Sequence, residues 1–406
     1  MSTTVTRWVV QQLAAWGVKT VYGVAGDAIL PLLAALNEHP RIRFYSVIHE
    51  ATAAFMASAY AKLTGELGVC VATSGPGVAN LLNGLMDAKK DRAPVLAITG
   101  QVASYNLDTD YKQTADENLL LAPAVGYSAL ASTPKAANDL LSKALRTAIA
   151  QGCPVHLAFT KDIWSKPVAQ PVRPPEPYLT TKAHSSPEVI AGAFPLLNEA
   201  ERPAILAGRG SIGLGPLLLD LATHWESGIT LTMPAKGTVP GEHPLVLGGL
   251  GPGGSEAASK MLAETDLLLI AGARPEQQVV ALVGDGGLAQ SLPDFVTAVR
   301  YQLPLTIIVL KNEWLAMERD RTELLALDPW VTRLVTPDFA AFAEACGGKG
   351  YTVHDSSQLE EIFGLALNSQ EPAIVQVQTA APVFPGLVSQ FRREKNEQER
   401  SVPLWV

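Results

Sequence analysis

The sequence predicts an α/β fold made of consecutive doubly wound parallel-sheet units. Two observations carry this. Short apolar runs without polar alternation recur along the chain, as strands buried on both faces do. Ala-rich stretches of helical period separate them, and a strand–helix alternation of that kind builds parallel sheets. A Pro-rich polar passage then interrupts the alternation before it restarts, so more than one unit is present.

Within residues 1–165, Thr20–Tyr22, Arg43–Val47, Gly68–Thr73, Pro94–Thr99 and Pro154–Phe159 read as strands, with Ala51–Thr64 and Val78–Lys90 as helices between them. The opening MSTTVTRWVVQQLAAWGV is apolar at helical spacing but broken by Gln11 and Gln12, so an amphipathic first helix is expected and not a signal peptide. Residues 166–187, dense in Pro and polar side chains, read as a linker. In 188–273 the strand Pro203–Ala207 leads into GRGSIGLG, a helix through Trp225, and the strands Gly228–Met233 and Asp266–Ala271. From 274 to 380 come the strand Val279–Val283, a helix over Leu292–Tyr301, the strand Leu305–Leu310, a helix over Phe339–Cys346 and the strand Ala373–Gln378. Residues 381–406 form a tail whose charged run, Arg392–Arg400, reads as a solvated segment.

Bulk composition narrows the function. Of the 406 residues 48% are hydrophobic and 17% charged, which suits a large packed core. A net charge of −8 with no basic stripe argues against nucleic acid. Three widely spaced cysteines, Cys70, Cys153 and Cys346, fit neither a disulfide framework nor a zinc site and suit a reducing, cytoplasmic setting. No uninterrupted apolar stretch is long enough for a membrane span.

The sharpest constellation is Gly284-Asp285-Gly286-Gly287 directly after a strand, with Asn312 closing the next one. A carboxylate and an amide oxygen on neighbouring strand tips face the crevice where open α/β sheets bind ligands. Hard oxygen donors of this kind suit Mg²⁺, and the glycines admit a phosphate group close to the backbone. A plain strand-to-turn GDGG with an unrelated Asn fits the same letters. Earlier, His49-Glu50 closes one strand and opens a helix, where a glutamate also serves as a cap or dipole partner. Thr73-Ser74-Gly75-Pro76-Gly77 with Asn80 reads as a strand-to-helix turn, structural or ligand-facing.

GDG, a helix ending in TAVRYQLP, the strand IIVL and then Asn together resemble the fingerprint of thiamine-diphosphate enzymes. SVIHEATAAFMASAYAKLTGELGVCVATSGPGVANLLNGLMDA is similar to the same family's pyrimidine-binding domain. The wording lies nearest the pyruvate oxidase and acetolactate synthase branch, pyruvate oxidase above all. The resemblance implies a pyrimidine-binding domain at 1–165, a partial Rossmann-like middle domain at 188–273 and a partial diphosphate-binding domain at 274–380.

It further implies that Asp285, Asn312 and the backbone carbonyl of Trp314 ligate Mg²⁺. Gly284, Gly286 and Gly287 would line the diphosphate, and Gly26, Thr73, Gly75, Pro76, Gly77 and Asn80 the pyrimidine. Glu50 would exchange a proton with the aminopyrimidine, and Gln113 would contact the substrate. Two departures stand out: Lys311 replaces the first Asn of an Asn-Asn pair, and Lys112 replaces an aromatic beside Gln113.

The resemblance is discontinuous. After DLLLIAGA a full member of the family carries several more strands before GDG, whereas this chain steps from Ala273 through Arg274–Gln278 into the strand. The last two domains are therefore expected to be truncated at their junction, with sheet edge and apolar surface exposed. Loss of the strands that would carry its adenosine argues against bound FAD. GRGSIGLG does not restore a dinucleotide site: no acid follows about 20 positions on at a strand end, which also weighs against a nicotinamide dehydrogenase.

The function implied is decarboxylation of pyruvate or a similar 2-oxo acid, with oxidation or acyl transfer, by a cytoplasmic homodimer or homotetramer whose active sites lie between subunits. The alternative is a catalytically degenerate member acting as a binding or assembly partner.

Overall fold

Two central strands of the first sheet, Gly68–Ala72 and Val95–Gln101, are buried at every position, so their side chains supply apolar surface to both faces. In a computed structural model, residues 3–175, 186–249, 254–273, 280–324 and 328–380 are described. The expected junction 274–278 lies outside them, as does the tail 381–406.

The first sheet has six parallel strands: β1 (Thr20–Gly23), β2 (Arg43–Ser46), β3 (Gly68–Ala72), β4 (Val95–Gln101), β5 (Tyr127–Ala131) and β6 (Pro154–Thr160), in the order β2-β1-β3-β4-β6-β5. Alternation along each strand divides the core in two. Val69, Val71, Leu96 and Ile98 join one apolar cluster, while Cys70, Ala72, Val95 and Ala97 join another on the opposite face. β5 was not foreseen from YSALA, because its Ser and Ala residues have little strand preference. Gln12, which interrupts the first apolar stretch, is fully buried. Its amide donates to the Arg173 carbonyl at 2.6 Å and accepts from the Arg173 N–H at 2.9 Å, so the start of the Pro-rich passage is fastened to the first helix.

The second sheet is also parallel, with β7 (Pro203–Ser211), β8 (Gly228–Leu231), β9 (Val246–Gly249) and β10 (Leu267–Ala273) in the order β9-β8-β7-β10. Among the described residues its one apolar cluster lies on one face, around Ile205, Ala207, Ile229 and Leu231. On β10, an edge strand among the described residues, Leu268 and Ile270 are 38% and 70% exposed. Exposed apolar surface of this kind is what the shortened sequence implies.

The third sheet holds β11 (Val280–Gly284), β12 (Thr306–Lys311), β13 (Lys349–Val353) and β14 (Ala373–Gln378), all parallel, in the order β11-β12-β14-β13. Among the described residues β11, the strand that delivers Asp285, is an edge strand. Ile307 and Val309 pack to one side and Ile308 to the other, each within its own cluster.

The first and third sheets are tied directly, at the turn that positions the helix Glu50–Thr64. The Ser46 N–H donates to the Tyr301 hydroxyl at 2.7 Å, and the Ile48 N–H donates to Asp294 Oδ1 at 3.0 Å. The Thr52 hydroxyl donates to Asp294 Oδ2 at 2.5 Å, and Tyr45 meets Tyr301 edge-on with ring centroids 4.6 Å apart.

Two outcomes check this architecture. Ile270→Ser changes stability by no more than about 0.5 kcal/mol, because the side chain faces water, whereas Ile205→Ser costs at least about 2 kcal/mol in a urea titration. Asp294→Ala costs about 1–3 kcal/mol by the same measurement, and its effect with Thr52→Val is less than the sum of the two because both remove one bond.

Candidate functional site

Strand β1 has β2 on one side and β3 on the other, so the chain changes direction between β1 and β3, where a crevice opens at the carboxyl edge of a parallel sheet. Thr73 leaves β3 there, and its hydroxyl accepts from the Ala28 N–H at 3.4 Å, bringing the turn that contains Gly26 against the one that contains Gly75. Gly75 has φ 64°, a left-handed conformation that glycine adopts without strain, and a Cβ at that position would sit 2.8 Å from the Gln113 carbonyl oxygen. Pro76 then begins the helix Pro76–Lys90, its fixed φ suited to a first turn.

Glu50 occupies the first turn of its own helix, but His49 is the cap: His49 Nδ1 accepts from the Ala51 N–H at 3.1 Å. That leaves the glutamate free for other partners. Asn80 Nδ2 donates to Glu50 Oε2 at 2.9 Å, and a Cβ at Gly77 would stand 3.3 Å from Glu50 Oε1, so the glycine leaves open the space beside the carboxylate. Glu50 is half-buried in the single chain. Gly26, Thr73, Gly75, Gly77, Asn80, Glu50 and Gln113 thus form one neighbourhood.

The second neighbourhood lies at the tips of β11 and β12. Asp285 is 1% exposed, and its carboxylate is fixed by backbone donors: Oδ1 accepts from the Gly286 N–H at 3.0 Å and Oδ2 from the Glu313 N–H at 2.7 Å. Glu313 reaches that position with φ 59°, an uncommon backbone for a non-glycine residue. Asn312 Oδ1 accepts from the Trp314 N–H at 3.0 Å. Trp314 pairs with Arg333 as an isolated antiparallel bridge whose bonds run through Glu313 and Leu315, and among the described residues no backbone N–H donates to the Trp314 carbonyl. One buried carboxylate, one amide oxygen and one uncommitted carbonyl make an all-oxygen donor set, which fits Mg²⁺ better than a softer metal. A Cβ on Gly286 would press within 3.0 Å of Leu315 and Leu334, whereas Gly284 faces open space and Gly287 packs over Val283.

The helix after GDG is a single short segment, Asp285–Ala289, so its dipole adds little. Lys311 neither faces solvent nor reaches toward a phosphate: it is 9% exposed, and its ammonium donates to the Pro337 carbonyl at 3.0 Å. Among the described residues, no hydrogen bond joins the Glu50 neighbourhood to the Asp285 neighbourhood.

A pocket of about 520 Å³ adjoins the first neighbourhood, lined by Ser74, Asn106, Lys112, Gln113, Lys161 and Asp162 among others. Asp162 accepts from the Ser104 N–H at 2.8 Å and the Ser104 hydroxyl at 3.0 Å, and pairs with Lys166 at 3.2 Å. Burial alone would push its carboxyl up, but these partners outweigh burial and hold it at about 2.

Residue types alone did not single out a buried polar tie next to the Gln113 loop. The Thr99 hydroxyl donates to Glu117 Oε2 at 2.6 Å and lies 2.7 Å from His156 Nε2, and all three residues are buried. Glu117 begins the segment just after the Gln113 loop, so the tie anchors one end of that loop. The Gln101 amide, donating to the Ala115 carbonyl at 2.9 Å, fixes it nearby. Neither tie is visible as a motif, since its members come from separate elements of the fold.

Both neighbourhoods fall within stretches that match known protein domains. The N-terminal TPP binding domain of thiamine pyrophosphate enzymes matches residues 3–120, and their C-terminal TPP binding domain matches residues 237–377. The Bacillus subtilis protein YdaP, whose name describes it as thiamine pyrophosphate-containing, is 27% identical over 527 aligned positions that cover 93% of this chain and 92% of its own length. An alignment of 527 positions against a chain of 406 leaves a long stretch of that relative without a counterpart here.

The large subunit of acetolactate synthase isozyme 1 from Escherichia coli is 32% identical across 68% of this chain and 49% of its own length. Pyruvate oxidase of Lactiplantibacillus plantarum is 32% identical across 65% and 44%. The chain therefore spans about half the length of these two relatives. The two domain matches and these relatives together place the chain in the thiamine pyrophosphate enzyme family.

Proposed function

We propose that this chain holds thiamine diphosphate through Mg²⁺ and acts on pyruvate or a similar 2-oxo acid, by decarboxylation followed by oxidation or acyl transfer. The observation that carries the reading is the buried Asp285, locked by two backbone N–H groups beside Asn312 and the uncommitted Trp314 carbonyl. Asp285, Asn312 and Trp314 would hold the cation, with open backbone at Gly284 beside the diphosphate. When bound, the cofactor supplies a carbanion-forming centre and an electron sink. Glu50, oriented by Asn80 and uncrowded by Gly77, would hold or release a proton at the aminopyrimidine. Gln113, positioned by the Gly75 contact, would meet the substrate. The half exposure of Glu50 in a single chain suits a site completed by a second subunit, as a homodimer or homotetramer would provide. With no acid at the strand end that follows GRGSIGLG, and with the sequence stepping from Ala273 to the strand before Asp285 in a few residues, the reading assigns no FAD.

A second reading is favoured by one observation, the exposed Leu268 and Ile270 on an edge strand beside the shortened junction. On that reading the chain is a degenerate member that assembles with other copies without turning over substrate.

One experiment separates the two. Thiamine diphosphate quenches tryptophan fluorescence only with Mg²⁺ present, and Asp285→Ala weakens that binding at least about tenfold. An identical titration in wild type and variant removes Asp285 from the cation site. Glu50→Gln binds the cofactor normally but loses pyruvate decarboxylation, whereas a wild type that binds and never turns over supports the degenerate reading.

A further inference from the structure

We infer that the pocket beside Gln113 accepts an anionic group other than the carboxylate that leaves, and that Lys112 is the residue that selects it. This deepens the proposed function and rests on it insofar as the pocket is the substrate's. Charge pairing in the pocket carries the argument. Asp27 is committed to Lys161, and Asp162 to Lys166 and Ser104, so each lining carboxylate has its own cation. Lys112 lines the same pocket and, among the described residues, makes no hydrogen bond or ion pair. Asp108, Asp110 and Asp116 belong to the same loop but are exposed and do not line the pocket. One lysine charge is therefore left over where Ser74, Asn106 and Gln113 add polar groups.

A cation facing the leaving carboxylate would stabilise the ground state more than a transition state that is losing that charge, and so would oppose decarboxylation. Lys112 is suited instead to an anion that stays: a second carboxylate on the 2-oxo acid, or a free anionic acceptor such as phosphate. The loop is set for this task, because Gln113 is held in a left-handed backbone (φ 65°) against Gly75 and the buried Glu117 anchors the far end.

The test is calorimetric titration of the full chain with 2-oxoglutarate, 2-oxopentanoate and inorganic phosphate, in wild type and Lys112→Met. An anion carried by the donor gives about tenfold tighter binding of 2-oxoglutarate than of 2-oxopentanoate, and Lys112→Met reduces that ratio to about two or less. A free acceptor gives phosphate binding in wild type that Lys112→Met abolishes, with the two oxo acids alike. Either result supports the assignment. A wild type that neither discriminates the oxo acids nor binds phosphate overturns it, as does a Lys112→Met protein that keeps the wild-type pattern. Because Lys112 is exposed, the variant folds as wild type does. Thiamine diphosphate quenching, run in parallel, tests the cofactor reading separately: its absence sinks that reading, while the anion titrations still decide Lys112.

Discussion

Parallel strands all end at one edge, and their polar tips must be satisfied there by turns, side chains or ligands. That constraint organises this chain. In the first sheet it brings the turns after β1 and β3 together, so that Thr73 reaches the Ala28 amide and Gly75 meets Gln113. In the third it sets Asp285 and Asn312 on adjacent tips, with the Glu313 N–H spent on the Asp285 carboxylate. Both neighbourhoods are products of sheet topology, made from side chains far apart in the sequence.

The two are mechanically joined without touching. Asp294 follows Asp285 on the same connection, and its carboxylate takes the Ile48 N–H and the Thr52 hydroxyl on either side of Glu50. Tyr301, at the end of the same connection, takes the Ser46 N–H. A displacement of the Asp285 connection would therefore be felt at the helix start that aims Glu50. On the proposed reading, these two groups serve different active sites of an oligomer, and the Asp294 tie would run between those sites.

The shortened middle of the chain has a physical cost that is visible in the packing. The first and third sheets bury apolar clusters on both faces, but among the described residues the second sheet does so on one. Leu268 and Ile270 lie on the other side, and β11 is left as an edge. Parallel sheets are ordinarily covered on both faces, and among the described residues this second one is not.

The α/β class was legible in the sequence because burial on both faces writes itself as unalternating apolar runs, and the GDG and His-Glu segments were legible because chemistry fixes residue type and spacing. What failed at that level were positions whose meaning is set by distant neighbours. β5 was hidden because Ser and Ala carry no strand signal of their own. Lys311 reads as a departure from an Asn-Asn pair, with nothing to show that it is buried against the Pro337 carbonyl, and Gln12 reads as an interruption, yet it is a core residue satisfied by Arg173. The Thr99–His156–Glu117 tie and the uncompensated charge of Lys112 exist only once strands are side by side. Sequence determined which residues carry reactive groups; only the tertiary structure decided which of those groups already have a partner, because a hydrogen bond or ion pair depends on distance in space and not along the chain.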